Sequence, residues 1–164
     1  MTSDIRKIAI ALIGQVGVGK TSIVRLLDRG ARSRGTTYLV DAKDTVYTFW
    51  ELQTSSYEPT KLEVFSSSFL RDSEPYNRYL FVITDSTRAD VNGVKYSLRF
   101  LRESFQNTRF AIIANKQDLP DRLPASRIET MTNLPTLEIS AIDASQRSRL
   151  VNFISYLIES DPGL

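Results

Sequence analysis

Apolar residues occur in two kinds of segment along this chain of 164 residues. Short, almost continuously apolar runs at residues 7–13, 78–84 and 109–114 are typical of strands that are buried on both faces of a sheet. Elsewhere, apolar side chains recur every three or four residues, which is the spacing of the buried stripe of a helix. This spacing predicts a helix after Thr21, a second over residues 89–106, a third that begins near Pro124 and a fourth over residues 145–159.

The middle of the chain predicts a hairpin followed by a loop. Residues 45–53 are rich in β-branched and aromatic side chains and predict a strand, and residues 61–65 predict a shorter one. The turn-forming residues 54–59 between them favour an antiparallel hairpin. Residues 66–77 are polar and irregular, as in a surface loop. A last short strand is predicted at residues 136–139.

Strands and helices therefore alternate along the chain, apart from the one hairpin. This order predicts an α/β fold with a doubly wound sheet of six strands, five of them parallel and one antiparallel at an edge, and with helices on both faces. Ligand-binding loops are expected at the carboxyl ends of the strands. Without internal repeats or a long linker, residues 1–164 predict a single domain.

Composition excludes several classes of chemistry. The chain has no cysteine and no histidine, so disulfides, zinc sites, thiol nucleophiles and histidine-based triads are ruled out. A formal net charge of +2 is too small to predict binding to nucleic acid. No apolar run approaches the length of a membrane span. Neither Met1-Thr2-Ser3-Asp4 nor the C-terminal residues carry a signal or lipidation motif. We expect a cytoplasmic protein without an anchor of its own, which reaches a membrane only through a partner.

A phosphate-binding loop follows the first predicted strand. The motif G-x-x-x-x-G-K-[ST] is complete in Gly14-Gln15-Val16-Gly17-Val18-Gly19-Lys20-Thr21, and the helical pattern begins at Ser22. The glycines allow successive backbone N–H groups to converge on a phosphate at the start of the helix. Lys20 is expected to contact the β- and γ-phosphates, and the Thr21 hydroxyl to ligate Mg²⁺.

A second motif selects the base. Asn115-Lys116-Gln117-Asp118 follows the strand at residues 109–114. The Asp118 carboxylate can accept two hydrogen bonds from guanine N1–H and the 2-amino group, which adenine does not offer. The methylene stem of Lys116 can cover one face of the base, and a backbone N–H at Ser140-Ala141 can donate to guanine O6.

These two motifs, with Ser140-Ala141-Ile142 at the expected third place, resemble those of the Ras-like small GTPases. The Asn-Lys-Gln-Asp form is similar to the Arf, Sar and signal-recognition-receptor β branch and to the prokaryotic gliding-motility switch GTPases. The resemblance covers the whole chain in element order. It implies a G domain of the P-loop NTPase class that binds GTP and GDP with Mg²⁺ and acts through protein effectors or regulators.

The chain departs from the family's third motif. The family carries Asp-x-x-Gly after its third strand, where Asp holds Mg²⁺ through water and Gly donates to the γ-phosphate, often before a catalytic Gln. After the strand predicted at residues 61–65, this chain has Ser66-Ser67-Ser68-Phe69, and Asp72 could substitute only if the loop folded back. The branched side chain of Val16 also crowds the space where water must align. The catalytic group is therefore not identified, and hydrolysis is expected to be slow.

The γ-phosphate sensor of the family is a threonine before the second strand. Thr45 opens the predicted strand and is the candidate for this contact and for the metal, with Thr36, Thr37 and Thr48 as alternatives. Lys20 and Thr45 are accordingly the candidates for contacts to the transition state and the γ-phosphate. The neighbouring Phe49 and Trp50 are expected in the core rather than on a partner surface.

Two functions remain open at this level. The first is a guanine-nucleotide switch with Mg²⁺-dependent, weak GTPase activity, which signals through the loops around Thr45 and residues 66–76. The alternative is a pseudo-GTPase scaffold that binds nucleotide without turnover and acts by docking a partner. A P-loop kinase or ATPase would leave residues 115–118 without a role.

Overall fold

The computed structural model describes residues 4–52 and 58–161. They form one seven-stranded sheet with the order β2-β3-β4-β1-β5-β6-β7. Strands β4, β1, β5, β6 and β7 are parallel, whereas β3 and β2 are antiparallel additions at one edge. The strands are β1 (Arg6–Ile13), β2 (Arg32–Arg34), β3 (Thr37–Ala42), β4 (Thr45–Glu51), β5 (Asn77–Thr84), β6 (Arg109–Ala114) and β7 (Thr136–Glu138).

Five α-helices cover the two faces of this sheet. They are α1 (Lys20–Leu27), α2 (Pro59–Asp72), α3 (Arg88–Ser104), α4 (Ala125–Thr132) and α5 (Arg147–Glu159), the last preceded by a 3₁₀ turn at Ala144–Gln146. Helices α1 and α5 pack on one face, and α2, α3 and α4 on the other. None of the helices in the described part of the chain is long and apolar enough to cross a bilayer. The doubly wound α/β architecture predicted from the sequence is confirmed.

Strand β1 lies at the centre and shows why its sequence is continuously apolar. Ile8, Ile10 and Leu12 belong to the core layer beneath α1 and α5. Because side chains alternate along a strand, the intervening Ala9, Ala11 and Ile13 belong to the opposite layer. The two alanines are small, and that layer is filled instead by an aromatic cluster of Trp50, Phe65, Phe69 and Phe105, with ring centroids 5.3 to 6.4 Å apart.

The strand predicted at residues 61–65 is wrong, and so is the loop predicted after it. Residues from Pro59 to Asp72 form helix α2, which begins at a proline and turns Leu62, Ser66 and Phe69 inward. These buried positions lie four and three residues apart, as on one face of a helix. Because one of them is a serine, the apolar residues alone do not show the helical spacing. Gln53 and residues 54–57 of the predicted strand and turn lie outside the described residues.

The hairpin partner of β4 lies before it in the chain. Strand β3 pairs antiparallel with β4 and with the short β2, so the sheet has seven strands rather than six. Gly35, with φ of +63°, supplies the left-handed conformation in the turn between β2 and β3. The fully exposed Arg32–Arg34 strand has no apolar alternation, which explains why its sequence does not indicate a strand.

Candidate nucleotide-binding site

The predicted binding loops meet at the carboxyl edge of the parallel strands. The phosphate loop follows β1, residues 115–118 follow β6, and Ser140 lies just beyond β7. This edge is where open α/β sheets bind ligands. The structure therefore brings together the two motifs and the Ser140-Ala141-Ile142 segment as the sequence predicts.

Two glycines of the phosphate loop are required by close packing. Gly14 has φ of +155°, and a Cβ at this position would overlap the carbonyl oxygen of Ile83. Gly19 has φ of +106° and caps the start of α1, where a Cβ would overlap the side-chain amide of Asn115. The loop lies directly against β5 and the base-recognition motif, so neither position tolerates a side chain.

Lys20 is folded back under this loop. Its ammonium donates to the carbonyl oxygens of Gly14 at 2.8 Å and of Gln15 at 3.0 Å, and the residue is only 5% exposed. Burial lowers the pKa of Lys20, while the negative charges of Glu51 and Asp90 act in the opposite direction. A desolvated ammonium at the floor of a glycine loop is well placed to exchange its carbonyl partners for phosphate oxygens.

Thr21 points to a carboxylate that the sequence did not indicate. Its hydroxyl donates to Glu51, with the two carboxylate oxygens at 2.9 and 3.0 Å, and Glu51 is 4% exposed at the carboxyl end of β4. Hydroxyl and carboxylate oxygens are the ligands that Mg²⁺ prefers, so this pair fits the cation that the resemblance implies. No cluster of three metal-ligating His, Cys, Asp or Glu occurs within the described ranges, so phosphate and water would complete the shell.

The third motif of the family therefore has a different location from the predicted one. The central strand that precedes it is β4, next to β1, and the corresponding residues are Glu51-Leu52-Gln53-Thr54. Ser66 lies in α2 and donates to the carbonyl of Glu63, and Asp72 is paired with Arg71 at 2.8 Å on the surface. A carboxylate is thus present at this place as Glu51, and Ser66 and Asp72 do not substitute for it.

Thr45 is not brought to the site. It begins β4 and pairs with Arg6 at the amino edge of the sheet, whereas Glu51 pairs with Leu12 just before the phosphate loop. Six residues of strand separate the two ends by about 20 Å. Among the alternatives, Thr48 is in mid-strand, but the carbonyl of Thr36 accepts from the Glu51 N–H at 2.9 Å, so Thr36 lies at the correct edge.

Asn115 holds the base-recognition side together. It is 3% exposed, its amide donates to the Val18 carbonyl at 2.8 Å, and its Oδ1 accepts from the Ala141 N–H at 2.9 Å. One side chain thus joins the phosphate loop to the segment after β7. The sequence predicts that a backbone N–H at Ser140-Ala141 donates to guanine O6, and in this structure the Ala141 N–H donates to Asn115.

Asp118 is paired with Ser140 across the two loops. Ser140 Oγ donates to Asp118 Oδ1 at 2.9 Å and accepts from the Asp118 N–H at 3.0 Å. Two residues that sequence reasoning missed support this loop: the Gln117 amide donates to Ser86 Oγ and to the Leu123 carbonyl, each at 3.0 Å. Ser86 is buried with a left-handed φ of +67°, which no local sequence pattern reveals.

Two adjoining pockets run along this edge and share Thr21 and Ser22. The first, of about 360 Å³, lies over the phosphate loop and is lined by Val16, Gly17, Gly19, Lys20, Thr21, Ser22 and Glu51. The second, of about 540 Å³, extends past α1 to Ala141 and Ile142. Pockets of a few hundred cubic ångströms are typical of small-molecule sites. The first pocket covers the phosphate loop and the second reaches the segment after β7, although residues 115–118 line neither of them.

Comparison with known proteins agrees with this geometry. No protein-family model matches the chain. Over 143 residues, it is 29% identical to ADP-ribosylation factor-like protein 1 of Saccharomyces cerevisiae. The alignment covers 81% of this chain and 73% of the yeast protein. The similarity agrees with the Asn-Lys-Gln-Asp form of the second motif and with the sheet. In sequence, motif order and architecture, this chain is similar to the Arf branch of the Ras-like small GTPases.

Proposed function

We propose that the chain is a guanine-nucleotide switch: a single G domain over residues 1–164 that binds GTP and GDP with Mg²⁺ and hydrolyses GTP slowly. The observation that carries this proposal is the side chain of Asn115, which joins the phosphate loop at Val18 to the base-recognition segment at Ala141. A scaffold without nucleotide would gain nothing from aligning these two specific motifs. The similarity to an Arf-like protein supports the same function.

The phosphate end of the nucleotide is assigned to the loop and the start of α1. Backbone N–H groups of the glycine loop and of Ser22 would bind phosphate oxygens, aided by the helix dipole. Lys20 would exchange the carbonyls of Gly14 and Gln15 for the β- and γ-phosphates. The Thr21 hydroxyl and the Glu51 carboxylate would hold Mg²⁺, which supplies charge neutralisation at the phosphates.

The guanine end is assigned to the loops after β6 and β7. Asp118, oriented by Ser140, would accept from guanine N1–H and the 2-amino group. Lys116 and Ile142 would cover the base, and guanine O6 would share the Ala141 N–H with Asn115. Asp118 is exposed in this structure, and a bound base would cover it. A carboxylate that is covered by the wrong base and left unpaired costs several kcal/mol, which is the physical basis of the selectivity.

We attribute slow hydrolysis to departures of the sequence from the family's pattern. In Glu51-Leu52-Gln53-Thr54-Ser55, threonine stands where the family has glycine, and serine stands where it often has the catalytic glutamine. Val16 adds an exposed branched side chain above the loop. Positioning of the attacking water supplies much of the rate in phosphoryl transfer, so its loss lowers turnover more than binding. In place of Thr45, we assign the γ-phosphate sensor to Thr36.

The departures in this third motif favour a second candidate, the pseudo-GTPase scaffold that retains nucleotide without turnover. In either case, we propose that the bound nucleotide controls docking of protein effectors or regulators. We also propose that the protein acts in the cytoplasm.

One experiment separates the two candidates. The freshly purified protein is denatured, the released nucleotide is identified by chromatography, and the conversion of added GTP is then followed in a single turnover with Mg²⁺. Bound GDP, or slow cleavage of GTP, is expected for the switch. GTP that stays uncleaved would favour the scaffold, and a protein without affinity for GTP or GDP would refute both.

A further inference from the structure

Glu51 is a buried carboxylate that lacks a directly bonded cation within residues 4–52 and 58–161. Its side-chain partner there is the neutral hydroxyl of Thr21. The Lys20 ammonium attracts the Glu51 charge but donates its hydrogen bonds to the backbone of the phosphate loop. A buried charge is costly unless it is paired or binds a metal. Glu51 therefore has the properties of a ligand whose cation arrives with the nucleotide.

The Thr21–Glu51 hydrogen bond holds the two side chains at an oxygen–oxygen separation that two neighbouring ligands of one divalent cation would also have. Both carboxylate oxygens face Thr21 Oγ1, at 2.9 and 3.0 Å. In an octahedral Mg²⁺ shell with bonds of about 2.05 Å, two neighbouring ligand oxygens lie about 2.9 Å apart. A cation on Thr21 Oγ1 could thus bond to one Glu51 oxygen with little movement of either side chain.

The extra methylene of glutamate decides between direct and water-mediated contact. The family's aspartate reaches Mg²⁺ through a water molecule, and glutamate places its carboxylate about 1.3 Å further from the backbone. The backbone cannot retreat to compensate, because Glu51 is paired with Leu12 of β1 and its N–H donates to the Thr36 carbonyl at 2.9 Å. The longer side chain therefore extends into the space that the bridging water would occupy.

We propose that Glu51 is a direct ligand of the divalent cation and replaces the water through which the family's aspartate acts. This inference rests on the proposed function, since the cation arrives with the nucleotide. The bound cation then carries one water molecule fewer than it would with aspartate at the same position. Its affinity also depends on the Glu51 charge more strongly than a water-mediated contact would require.

The test counts the water molecules on Mn²⁺, used as the probe in place of Mg²⁺, in the GDP complex. Electron paramagnetic resonance in water enriched in the magnetic oxygen isotope reports how many waters broaden the Mn²⁺ signal. The expected result is one more coordinated water in Glu51→Asp than in the unmodified protein. Equal counts would overturn the inference. Circular dichroism establishes that the conservative variant is folded.

Two further variants make the assignment specific. Glu51→Gln should weaken Mn²⁺ binding to the GDP complex by roughly 100-fold or more, beyond the range typical of indirect partners. Glu63→Gln, on the exposed face of α2, should leave Mn²⁺ affinity unchanged. Unchanged Mn²⁺ affinity in Glu51→Gln would also overturn the inference.

Nucleotide binding is measured separately, with a chelator present, so that failure of the two proposals can be distinguished. A protein that binds no guanine nucleotide would refute the proposed function and this inference together. A protein that binds GDP but shows the same water count in both forms would refute only the role of Glu51.

Discussion

The two ends of the candidate site differ in how their polar groups are satisfied. At the base end, Asn115, Gln117, Asp118 and Ser140 bond to one another's loops and to buried backbone groups. At the metal end, the buried Glu51 has a neutral hydroxyl as its partner. The base end is thus organised by hydrogen bonds within the protein, whereas at the metal end the Glu51 carboxylate has no salt bridge within the described residues and interacts with the Lys20 charge without a direct bond.

This difference separates selection of the nucleotide from use of it. A preorganised base site loses little free energy on binding and rejects bases that leave Asp118 unpaired. Burial disfavours the charged form of Lys20, and phosphates that bind its ammonium would offset this cost. We therefore expect nucleotide with Mg²⁺ to stabilise the fold, by an amount that grows with ligand concentration over its dissociation constant.

The largest effect is expected for Lys20→Ala. Charge-assisted hydrogen bonds to the β- and γ-phosphates contribute about 1.5–3 kcal/mol each, so affinity for a non-hydrolysable GTP analogue should fall roughly a thousandfold in calorimetric titration. Because burial lowers the pKa of Lys20, the fold disfavours its charged form. The Lys20→Ala variant without nucleotide should therefore unfold at a temperature no lower than that of the unmodified protein without nucleotide.

Lys95→Ala, which removes an exposed lysine of α3, is the matched control. It should bind the same GTP analogue with the affinity of the unmodified protein. Normal binding in Lys20→Ala would instead remove the phosphate-loop assignment. It would also break the contrast between the two ends, because the metal end would then contribute nothing to affinity.

Asp118→Asn tests the base end with a smaller expected effect. An amide cannot accept both guanine donors, so GDP affinity should fall roughly a hundredfold, while xanthine nucleotides, which carry an oxygen in place of the 2-amino group, should gain. Competition titrations with GDP and XDP measure the change in preference. Asp121→Asn, at an exposed left-handed position of the same loop, should leave it unaltered. Unchanged GDP affinity in Asp118→Asn would remove Asp118 from the base site.

The base end could be predicted from the sequence because its motif is contiguous and follows a strand whose apolar pattern is unambiguous. Residues 109–114 were predicted as a strand and form β6 with those bounds. Since strand ends fix loop positions, Asn115 and Asp118 then follow at the correct edge. The supporting contacts of Ser86 and Gln117 depend on chain folding over a distance and have no local pattern.

The sequence does not predict the carboxylate of the metal end correctly, because the wrong strand at residues 61–65 puts the family's third motif at the wrong place in the chain. Val64 and Phe65 favour a strand by propensity, but the tertiary packing of Leu62 and Phe69 makes this segment helical. With this segment as the third strand, the family's carboxylate position would fall at Ser66 instead of Glu51. Thr45 opens β4, but β4 runs parallel to β1, so its first residue lies at the edge opposite the phosphate loop.

Ser140→Ala tests the base end with the smallest expected effect. It removes the hydroxyl that orients Asp118 and leaves the Asp118 carboxylate in place. Ser140 Oγ bonds to both the N–H and the Oδ1 of Asp118, and a net hydrogen bond contributes about 0.5–1.5 kcal/mol. GDP affinity in fluorescence titration should therefore fall by roughly 2- to 10-fold, with the preference for guanine over xanthine retained. Ser148→Ala on the exposed side of α5 is the control.

Combining Ser140→Ala with Asp118→Asn decides whether the serine acts through the aspartate. If it does, the serine substitution should cost less in the Asp118→Asn background than alone, because its effect depends on the carboxylate that it orients. Equal costs in both backgrounds would mean that Ser140 contributes independently of Asp118. The base end would then be less preorganised than its hydrogen bonds indicate, and the contrast with the metal end would be one of charge alone.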